Sequence, residues 1–311
     1  MTTVDAPLPA EHEAQASSSG FEPAPKKPIK PARILLYIFL TATAFIWMVP
    51  ILGALYASFR PFGDTVQDGY FSFPDSLTLD NYRNAWDQGD ILQKYWNTFL
   101  ILAPALVLTL FFSSMVAFAA SRYSWKFNIF FLVLFTAGNL LPQQIIIQPL
   151  FQMYKRVPLP ESISESGNLL GSTWGLVLIH VAFQSGFCTF VLSNYMKLLP
   201  KSLNEAARID GAGVWTLYWQ IIMPLTRPAL AALATLEFTW IYNDFFWAVV
   251  LEQQGADLPI TSSLTNLGGE FFTDDNLIAA ASVYVAAPTL AVYFALQKHF
   301  IAGLALGADK G

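Results

Sequence analysis

Charged residues are scarce in this sequence, and the shortage argues against an ordinary soluble fold. The chain has 311 residues, of which 54% are hydrophobic and only 13% are charged. Soluble domains usually carry about 25% charged residues. The deficit is concentrated in six long stretches. Five of them contain no Lys, Arg, Asp or Glu, and the sixth, residues 228–251, contains only Glu237 and Asp244.

Several features of enzymes are also missing. Cys188 is the single cysteine, so an intramolecular disulfide is excluded. The sequence has no Gly-x-x-x-x-Gly-Lys-[Ser/Thr] loop, which excludes the P-loop mode of ATP binding. It also has no Cys/His cluster with metal-ligand spacing and no paired nucleophile and base. We therefore predict no catalytic site, no metal and no cofactor bound by this chain.

The six apolar stretches predict membrane spans. Each is longer than the roughly 20 residues that an α-helix needs to cross a bilayer. Helices are required because lipid cannot satisfy free backbone N–H and C=O groups. We predict an all-α polytopic membrane protein with six transmembrane helices, at about residues 34–59, 95–121, 127–154, 169–196, 228–251 and 276–297.

The first 32 residues differ from the rest. They are rich in Ala, Pro, Ser and Glu and show no apolar periodicity, which predicts a disordered cytoplasmic tail over 1–32 and a membrane domain over 33–311. The basic end of the tail would mainly set topology, with binding of anionic lipid heads as the alternative. We predict no cleavable signal peptide, because the first apolar stretch starts at Ile34 and is too long for one.

The basic residues predict the orientation in the membrane. Twelve of the 17 Lys and Arg residues fall on one side of a six-span topology, and this side should be cytoplasmic, together with both termini. These twelve are Lys26, Lys27, Lys30, Arg33, Arg122, Lys126, Lys197, Lys201, Arg208, Arg227, Lys298 and Lys310.

The cytoplasmic loop 197–227 is long and has helical signals of its own. Ser202 and Glu205 have the spacing of a capping box, with Ser202 as the N-cap. Gly211 and Gly213 should end the first short helix, because glycine tolerates the left-handed conformation. A second helix should follow, with Pro224 near its end. One face of that helix would carry Trp215, Tyr218, Ile222 and Leu225.

This loop carries a recognisable motif. It reads Glu205-Ala206-Ala207, three residues, Gly211, nine residues, Ile221, one residue, then Met223-Pro224. The spacing resembles the EAA motif of ATP-binding-cassette (ABC) importer permeases. The surrounding sequence resembles their carbohydrate-uptake branch, the maltose-transporter type. Met223 stands where that family prefers Leu, a change that conserves volume.

Other segments support the resemblance, which covers roughly Pro31 to Gly311. Asp309 departs from an ending that usually has an apolar residue there. The supporting segments are Leu79-Asp-Asn-Tyr-Arg83, Asn97-Thr98, Tyr242-Asn243-Asp244-Phe245 and Gln297-Lys-His-Phe300.

The resemblance implies a type I ABC importer permease fold, with a cytoplasmic EAA coupling helix, in the bacterial cytoplasmic (inner) membrane. It also implies a homologous sister permease, two ATPase subunits that bind ATP and Mg, and an extracytoplasmic sugar-binding protein. Membrane lipid surrounds such a chain, and no nucleic acid is expected.

The resemblance also implies a set of residues that couple the permease to the ATPase. Small alanines would let the coupling helix enter a groove of the ATPase. Glu205 would pair with an arginine there, or it would only cap its own helix. The residues implied are Glu205, Ala206, Ala207, Asp210, Gly211, Ile221 and Pro224.

Span five contains a candidate substrate path. Glu237 and Asp244 are seven residues apart and so lie on similar helix faces. With Trp240 and Asn243 they would form a polar and aromatic stripe suited to a sugar, and Gln144 in span three invites the same interpretation. Hydrogen bonding between helices is the alternative for all of these residues. His180 in span four is predicted to be structural.

The resulting hypothesis is a sugar-importer permease that works by alternating access. One alternative is the same machinery carrying glycerol phosphate or a polyamine. Another is an ion-coupled secondary transporter, which would be expected to show inverted repeats. An intramembrane enzyme would need a catalytic constellation that the sequence lacks. The sequence does not identify the sugar.

Overall fold

The chain forms helices and, over the described residues, no β-strand beyond an isolated bridge between Pro158 and Asn168. The computed structural model describes residues 31–138, 141–252, 258–267 and 274–308, with side chains except at 265, 266 and 298–308. Most of the predicted tail, the Asp309 ending and much of the last outer loop lie outside the described residues. The all-α fold class is confirmed.

The long helices account for most of the chain. They are α1 (Pro31–Ser58), α4 (Ile91–Arg122), α5 (Asn128–Gly138), α6 (Gln143–Arg156), α7 (Thr173–Leu198), α10 (Met223–Tyr242) and α13 (Asp275–Ala308). Short elements connect them: α2 (Phe62–Asp68), α3 (Asp80–Gln88), α8 (Ser202–Ile209), α9 (Val214–Thr216), a π-helical segment (Leu217–Ile222), α11 (Phe246–Leu251), α12 (Ile260–Ser263) and a 3₁₀ turn (Leu264–Leu267).

Five helical stretches in the described residues are long and apolar enough to span a membrane, and a sixth is obtained if α5 and α6 form one span. These two helices are bent by 94° relative to each other. The predicted span at about 127–154 thus consists of two helices in the described residues. Pro142 is extended (φ −58°, ψ 127°) and precedes α6. Proline also disfavours a helical residue before it, so the sequence has a physical reason to break here.

The bounds of span five also differ from those predicted. The helical run covers Val214–Tyr242 rather than 228–251, and α11 follows only after a break at residues 243–245. The absence of Lys and Arg from residues 228–251 predicts a start after Arg227, but helices also extend beyond the apolar stretch. The predicted second loop helix and the span are instead one helical run, in which Pro228 is accommodated.

Helices α4, α7 and α10 form the interior of the chain. Several residues at their contacts are small or polar, among them Ala105, Ser113 and Ala117 on α4, all fully buried. Ser113 donates a hydrogen bond to the Ser185 carbonyl on α7 at 3.2 Å. Small residues let helix backbones approach closely, which matters in lipid because apolar burial gives little drive for association there.

The segment after α1 is held against the helices by buried polar groups. Arg60 is 1% exposed and donates to the carbonyls of Gly69 (2.7 Å) and Asp64 (2.9 Å). The Asn276 amide at the start of α13 lies 2.9 Å from the Ala57 carbonyl and 3.1 Å from the Arg60 carbonyl. The segment is therefore ordered against the helix ends. Nearby, Tyr70 donates to the Asp275 carboxylate, and this hydrogen bond raises the pKa of Tyr70.

The chain divides into two compact units, residues Met1–Val49 and Pro50–Gly311. The described part of the first unit is the N-terminal portion of α1, whose side chains are largely exposed. The second unit contains every other element, including the loop that carries the motif.

The Asn276 contacts lead to a stability prediction. Asn276→Ala removes a buried amide that donates to the Ala57 and Arg60 carbonyls, and the loss of these two hydrogen bonds should cost about 1–3 kcal/mol. The measurement is the unfolding temperature of the detergent-solubilised protein, followed by fluorescence-detected size exclusion. Asn84→Ala is the matched control, because Asn84 is an exposed asparagine of α3. Equal unfolding temperatures for both variants would contradict the role given to Asn276.

Candidate coupling site

Helix α8, residues Ser202–Ile209, ends in a well-formed cap. Gly211 has φ +77°, the left-handed conformation that glycine adopts at little cost. The Ala212 N–H donates to the Ala207 carbonyl at 2.8 Å, and the Gly211 N–H donates to the Arg208 carbonyl at 3.1 Å. This pair of bonds is a Schellman motif. The expectation that Gly211 ends this helix is confirmed.

The start of α8 differs from the prediction. Lys201, not Ser202, is the N-cap, and no side chain caps this end. The Leu203 N–H is bonded to the Pro200 carbonyl (3.3 Å) and the Asn204 N–H to the Lys201 carbonyl (2.9 Å). The capping box is therefore wrong, because Lys201 is already helical (φ −67°, ψ −27°) and backbone carbonyls satisfy these donors.

The two alanines of the motif lie in different environments. Ala206 is exposed, whereas Ala207 is 5% exposed and packs in an apolar cluster. Glu205, Arg208, Ile209 and Asp210 are exposed. One face of α8 is thus fixed to the chain's own helices, and the other is free in this chain. Ala207 does not lie on the face available to a partner, contrary to the groove-entry role that the resemblance gave both alanines.

The apolar cluster under α8 joins four segments of the chain. Its buried members come from α4, α7, the π-helical segment and α10, in addition to Ala207. They are Ala117, Phe118, Cys188, Leu192, Met196, Leu217, Tyr218, Ile222, Ala229 and Leu233. We call this set the coupling cluster. Through it, α8 is in continuous contact with the membrane helices.

The π-helical segment presents an unexpected face to this cluster. Leu217, Tyr218 and Ile222 are buried, whereas Trp215 and Leu225 are exposed. The predicted face of Trp215, Tyr218, Ile222 and Leu225 is therefore wrong. Its spacing assumed 3.6 residues per turn, but a π-helix has i→i+5 bonding, which brings Leu217 and Ile222 onto one side.

Tyr218 makes the polar contact between this segment and α4. Its hydroxyl lies 2.7 Å from the Ser114 hydroxyl, and its ring meets Phe118 edge-on at 5.2 Å. No local sequence pattern indicates this contact, because Ser114 is 104 residues away from Tyr218. The remaining motif residues, Ile221 and Pro224, are half-buried, and Pro224 lies in the first turn of α10, where proline is favoured.

The predicted polar stripe on span five is not continuous. Glu237 is fully buried and accepts a hydrogen bond from the Cys188 thiol of α7 at 3.0 Å. It lies in a helix–helix contact rather than at a surface. Helix α10 ends at Tyr242, so Asp244 is outside the helix and does not share a face with Glu237. The stripe containing both carboxylates is therefore wrong.

The other candidate path residues are partly accessible. Trp240 is exposed, with its ring 5.3 Å from that of Phe187, and Gln144 on α6 is exposed. The exposed Asn243 donates to the Thr239 carbonyl at 2.8 Å. Asp244 accepts from the backbone N–H groups of Trp247 and Ala248 (3.4 and 3.3 Å), which caps α11.

Asp244 also contacts His180. The His180 Nε2 on α7 lies 3.7 Å from the Asp244 carboxylate, and both side chains are largely buried. The pair joins α7 to the break between α10 and α11. This contact agrees with the expected structural role of His180, although the sequence did not indicate its partner.

Comparison with known proteins identifies the family. Residues 110–305 match the model of the binding-protein-dependent transport system inner membrane component. This region contains α8, the coupling cluster and α10. The chain belongs to this family. It is a multi-pass membrane protein, and the predicted ABC importer permease class is confirmed.

Individual relatives agree with this assignment. A probable ABC transporter permease of Pyrococcus horikoshii is 31% identical over 83% of this chain and 91% of its own length. The arabinooligosaccharides transport system permease of Halalkalibacterium halodurans is 31% identical over 89% of this chain and 96% of its own length. A solved bacterial ABC transporter that imports the acidic polysaccharide alginate matches with a TM-score of 0.72 at 23% identity, over 86% of this chain and 95% of that one.

The asymmetry of the two alanines is directly testable. Ala207→Asp places a carboxyl group in the coupling cluster and should destabilise the protein by about 3 kcal/mol. Ala206→Asp, its neighbour on the exposed face, should leave stability nearly unchanged. The unfolding temperatures of both variants in detergent check this. A loss of similar size in both, or in neither, would contradict the placement of Ala207.

Proposed function

We propose that this chain is the membrane-spanning permease subunit of a binding-protein-dependent, ATP-driven sugar importer that works by alternating access. One observation carries the proposal. Helix α8 exposes Glu205, Arg208 and Ile209 on one side, and on the other it is fixed to the membrane helices through Ala207. A rigid helix of this kind can receive a push and transmit it to the spans.

The energy for such a push comes from outside the chain. We propose two partner ATPase subunits that bind ATP and Mg, a homologous sister permease that completes the pore, and an extracytoplasmic sugar-binding protein. Both termini are cytoplasmic in this proposal, which also places α8 in the cytoplasm. The excess of Lys and Arg on that side supports the orientation.

Glu205 is proposed to contact the ATPase. Its side chain is exposed and makes no hydrogen bond or salt bridge within the described residues. Capping of its own helix by Glu205 is disfavoured, since the N-cap is Lys201 and no side chain caps that end. Residues Ala206 and Asp210 on the same exposed side would flank the contact. Ala207, Gly211, Ile221 and Pro224 would act by holding α8 in place.

Force would pass inward through the coupling cluster. The route proposed runs from Ala207 to Tyr218, and from Tyr218 to Ser114 on α4 through their 2.7 Å hydrogen bond. Close packing supports this route, because packed side chains transmit displacement rather than absorb it.

The cargo is proposed to be a saccharide. The arabinooligosaccharide permease of Halalkalibacterium halodurans supports this choice, as a relative similar along 89% of the chain. Trp240 would offer a ring for stacking, while Asn243, Asp244 and Gln144 would offer polar groups along the path. Glu237 is left out of the path surface, because it is fully buried against α7.

Co-purification and uptake test the proposal together. The chain, expressed with its neighbouring transport genes and purified in mild detergent, should bring down an ATPase and a second permease. Reconstituted with the binding protein, the complex should take up a member of a panel of labelled saccharides only when ATP is present. Glycerol phosphate and a polyamine belong in the panel as the alternative cargoes. A chain that purifies alone and transports with only an ion gradient would contradict the proposal.

Variants of α8 separate coupling from folding. Glu205→Ala should lower ATP-driven uptake several-fold without lowering the unfolding temperature. Gly211→Leu should also lower uptake, and it should cost about 1–2 kcal/mol of stability, from strain at positive φ rather than from a clash. Lys155→Ala, on the opposite side of the predicted topology, is the control. Unchanged uptake and ATPase assembly in both α8 variants would contradict the coupling role.

A further inference from the structure

A groove runs between α5 and α7 on the side of the chain that carries Lys197. Its volume is about 370 Å³. Helix α5 contributes positions of one face, three or four residues apart, and α7 does the same. The lining residues are Ile129, Leu132, Val133, Thr136 and Ala137 from α5 and Phe190, Ser193, Asn194 and Lys197 from α7.

The apolar part of the groove opens at the surface of the helices. Ile129 is 78% exposed and Val133 59% exposed, and Phe190 is exposed as well. These residues belong to spans, so the groove opens toward hydrocarbon rather than water. Lipid chains or another helix must therefore occupy it in a membrane.

The other end of the groove is polar and positively charged. Lys197 lies in the last turn of α7 and forms no salt bridge with any described carboxylate. Asn194, one turn before it, is exposed, and its side chain has no hydrogen-bond partner in the described part of the chain. The Ser193 hydroxyl, 1% exposed, has no partner there either. Buried polar groups without partners are uncommon in native proteins.

The depth of these groups matches a phospholipid. Phe190 and Lys197 are seven residues apart, which corresponds to about 10 Å along a helix. An acyl chain beside Phe190 and Val133 would thus place its headgroup phosphate near Lys197 and Asn194. The same topology puts Lys197 at the cytoplasmic membrane surface, where anionic headgroups attract lysine.

We propose that the groove between α5 and α7 is a binding site for an anionic phospholipid of the cytoplasmic leaflet. Lys197 and Asn194 bind the headgroup phosphate, and Ile129, Val133 and Phe190 contact the acyl chain. The site is separate from α8 and from the proposed sugar path. A purely structural role of Lys197 at the negative end of the α7 helix dipole does not account for the apolar groove that leads to it.

Photo-crosslinking tests the site. The intact transport complex is reconstituted with phosphatidylglycerol or phosphatidylcholine, each carrying a diazirine on one acyl chain, and labelled peptides are identified by mass spectrometry. Phosphatidylglycerol should label the peptides around Val133 and Phe190 more than phosphatidylcholine does. Lys197→Gln should reduce this preference roughly fivefold, the effect expected for one lysine near a charged surface, whereas Lys197→Arg should keep it.

Two further variants complete the test. Lys201→Gln removes a cytoplasmic lysine that does not line the groove, and it should leave the labelling unchanged. Ala137→Trp places a bulky ring in the lining of the groove and should abolish labelling there. Labelling spread evenly over all the spans, or crosslinks from the groove to a second polypeptide instead of lipid, would overturn the proposal. ATP-driven uptake measured on the same samples would show whether the permease function holds independently.

Discussion

The burial of Ala207 in the coupling cluster is the contact on which the functional arrangement depends. It fixes a short helix of eight residues that would be marginal in isolation. The Schellman bonds at Gly211 close the helix and turn the chain into the π-helical segment. That segment is continuous with α10, so a single turn connects α8 to a membrane span.

The π-helical segment connects the loop that contains α8 directly to the membrane helix α10. An extra residue in the turn rotates Leu217, Tyr218 and Ile222 together toward α4 and α7. Tyr218 then reaches Ser114 across the contact. π-segments within helices often occur at functional sites, since they keep a less stable backbone only where packing supports it. Here the support comes from aromatic and aliphatic side chains of three helices.

Local signals in the sequence were informative where a single residue decides the backbone. Gly211 predicted the end of α8, and the charge-free stretches predicted the all-α membrane fold. The sequence failed where competing partners decide the outcome. Ser202 was available as an N-cap, but the backbone carbonyls of Pro200 and Lys201 had already satisfied the donors. Likewise, Glu237 and Asp244 share a helical periodicity, but the helix ends between them at Tyr242.

Contacts between distant segments were beyond the reach of periodicity. The pairs Ser114–Tyr218, Cys188–Glu237 and His180–Asp244 each join segments that are distant in the sequence. For Glu237, the sequence pattern was compatible with a substrate path and with helix packing, and the contact with Cys188 favours packing. Cys188 and Glu237 hold helices together, whereas Trp240 and Asn243 remain at the surface.

The exposed face of α8 is proposed to meet an ATPase, and crosslinking from Ile209 tests this contact most directly. Cys188→Ser leaves a donor for Glu237 and removes the single cysteine, so that Ile209→Cys is the only thiol in the chain. Ile209 is 86% exposed. In the assembled transporter, a short bifunctional thiol–amine reagent should join position 209 to the ATPase subunit, while Lys155→Cys in the same background should not. An Ile209→Cys chain that forms no ATPase adduct, in a complex that still hydrolyses ATP and transports, would contradict the account.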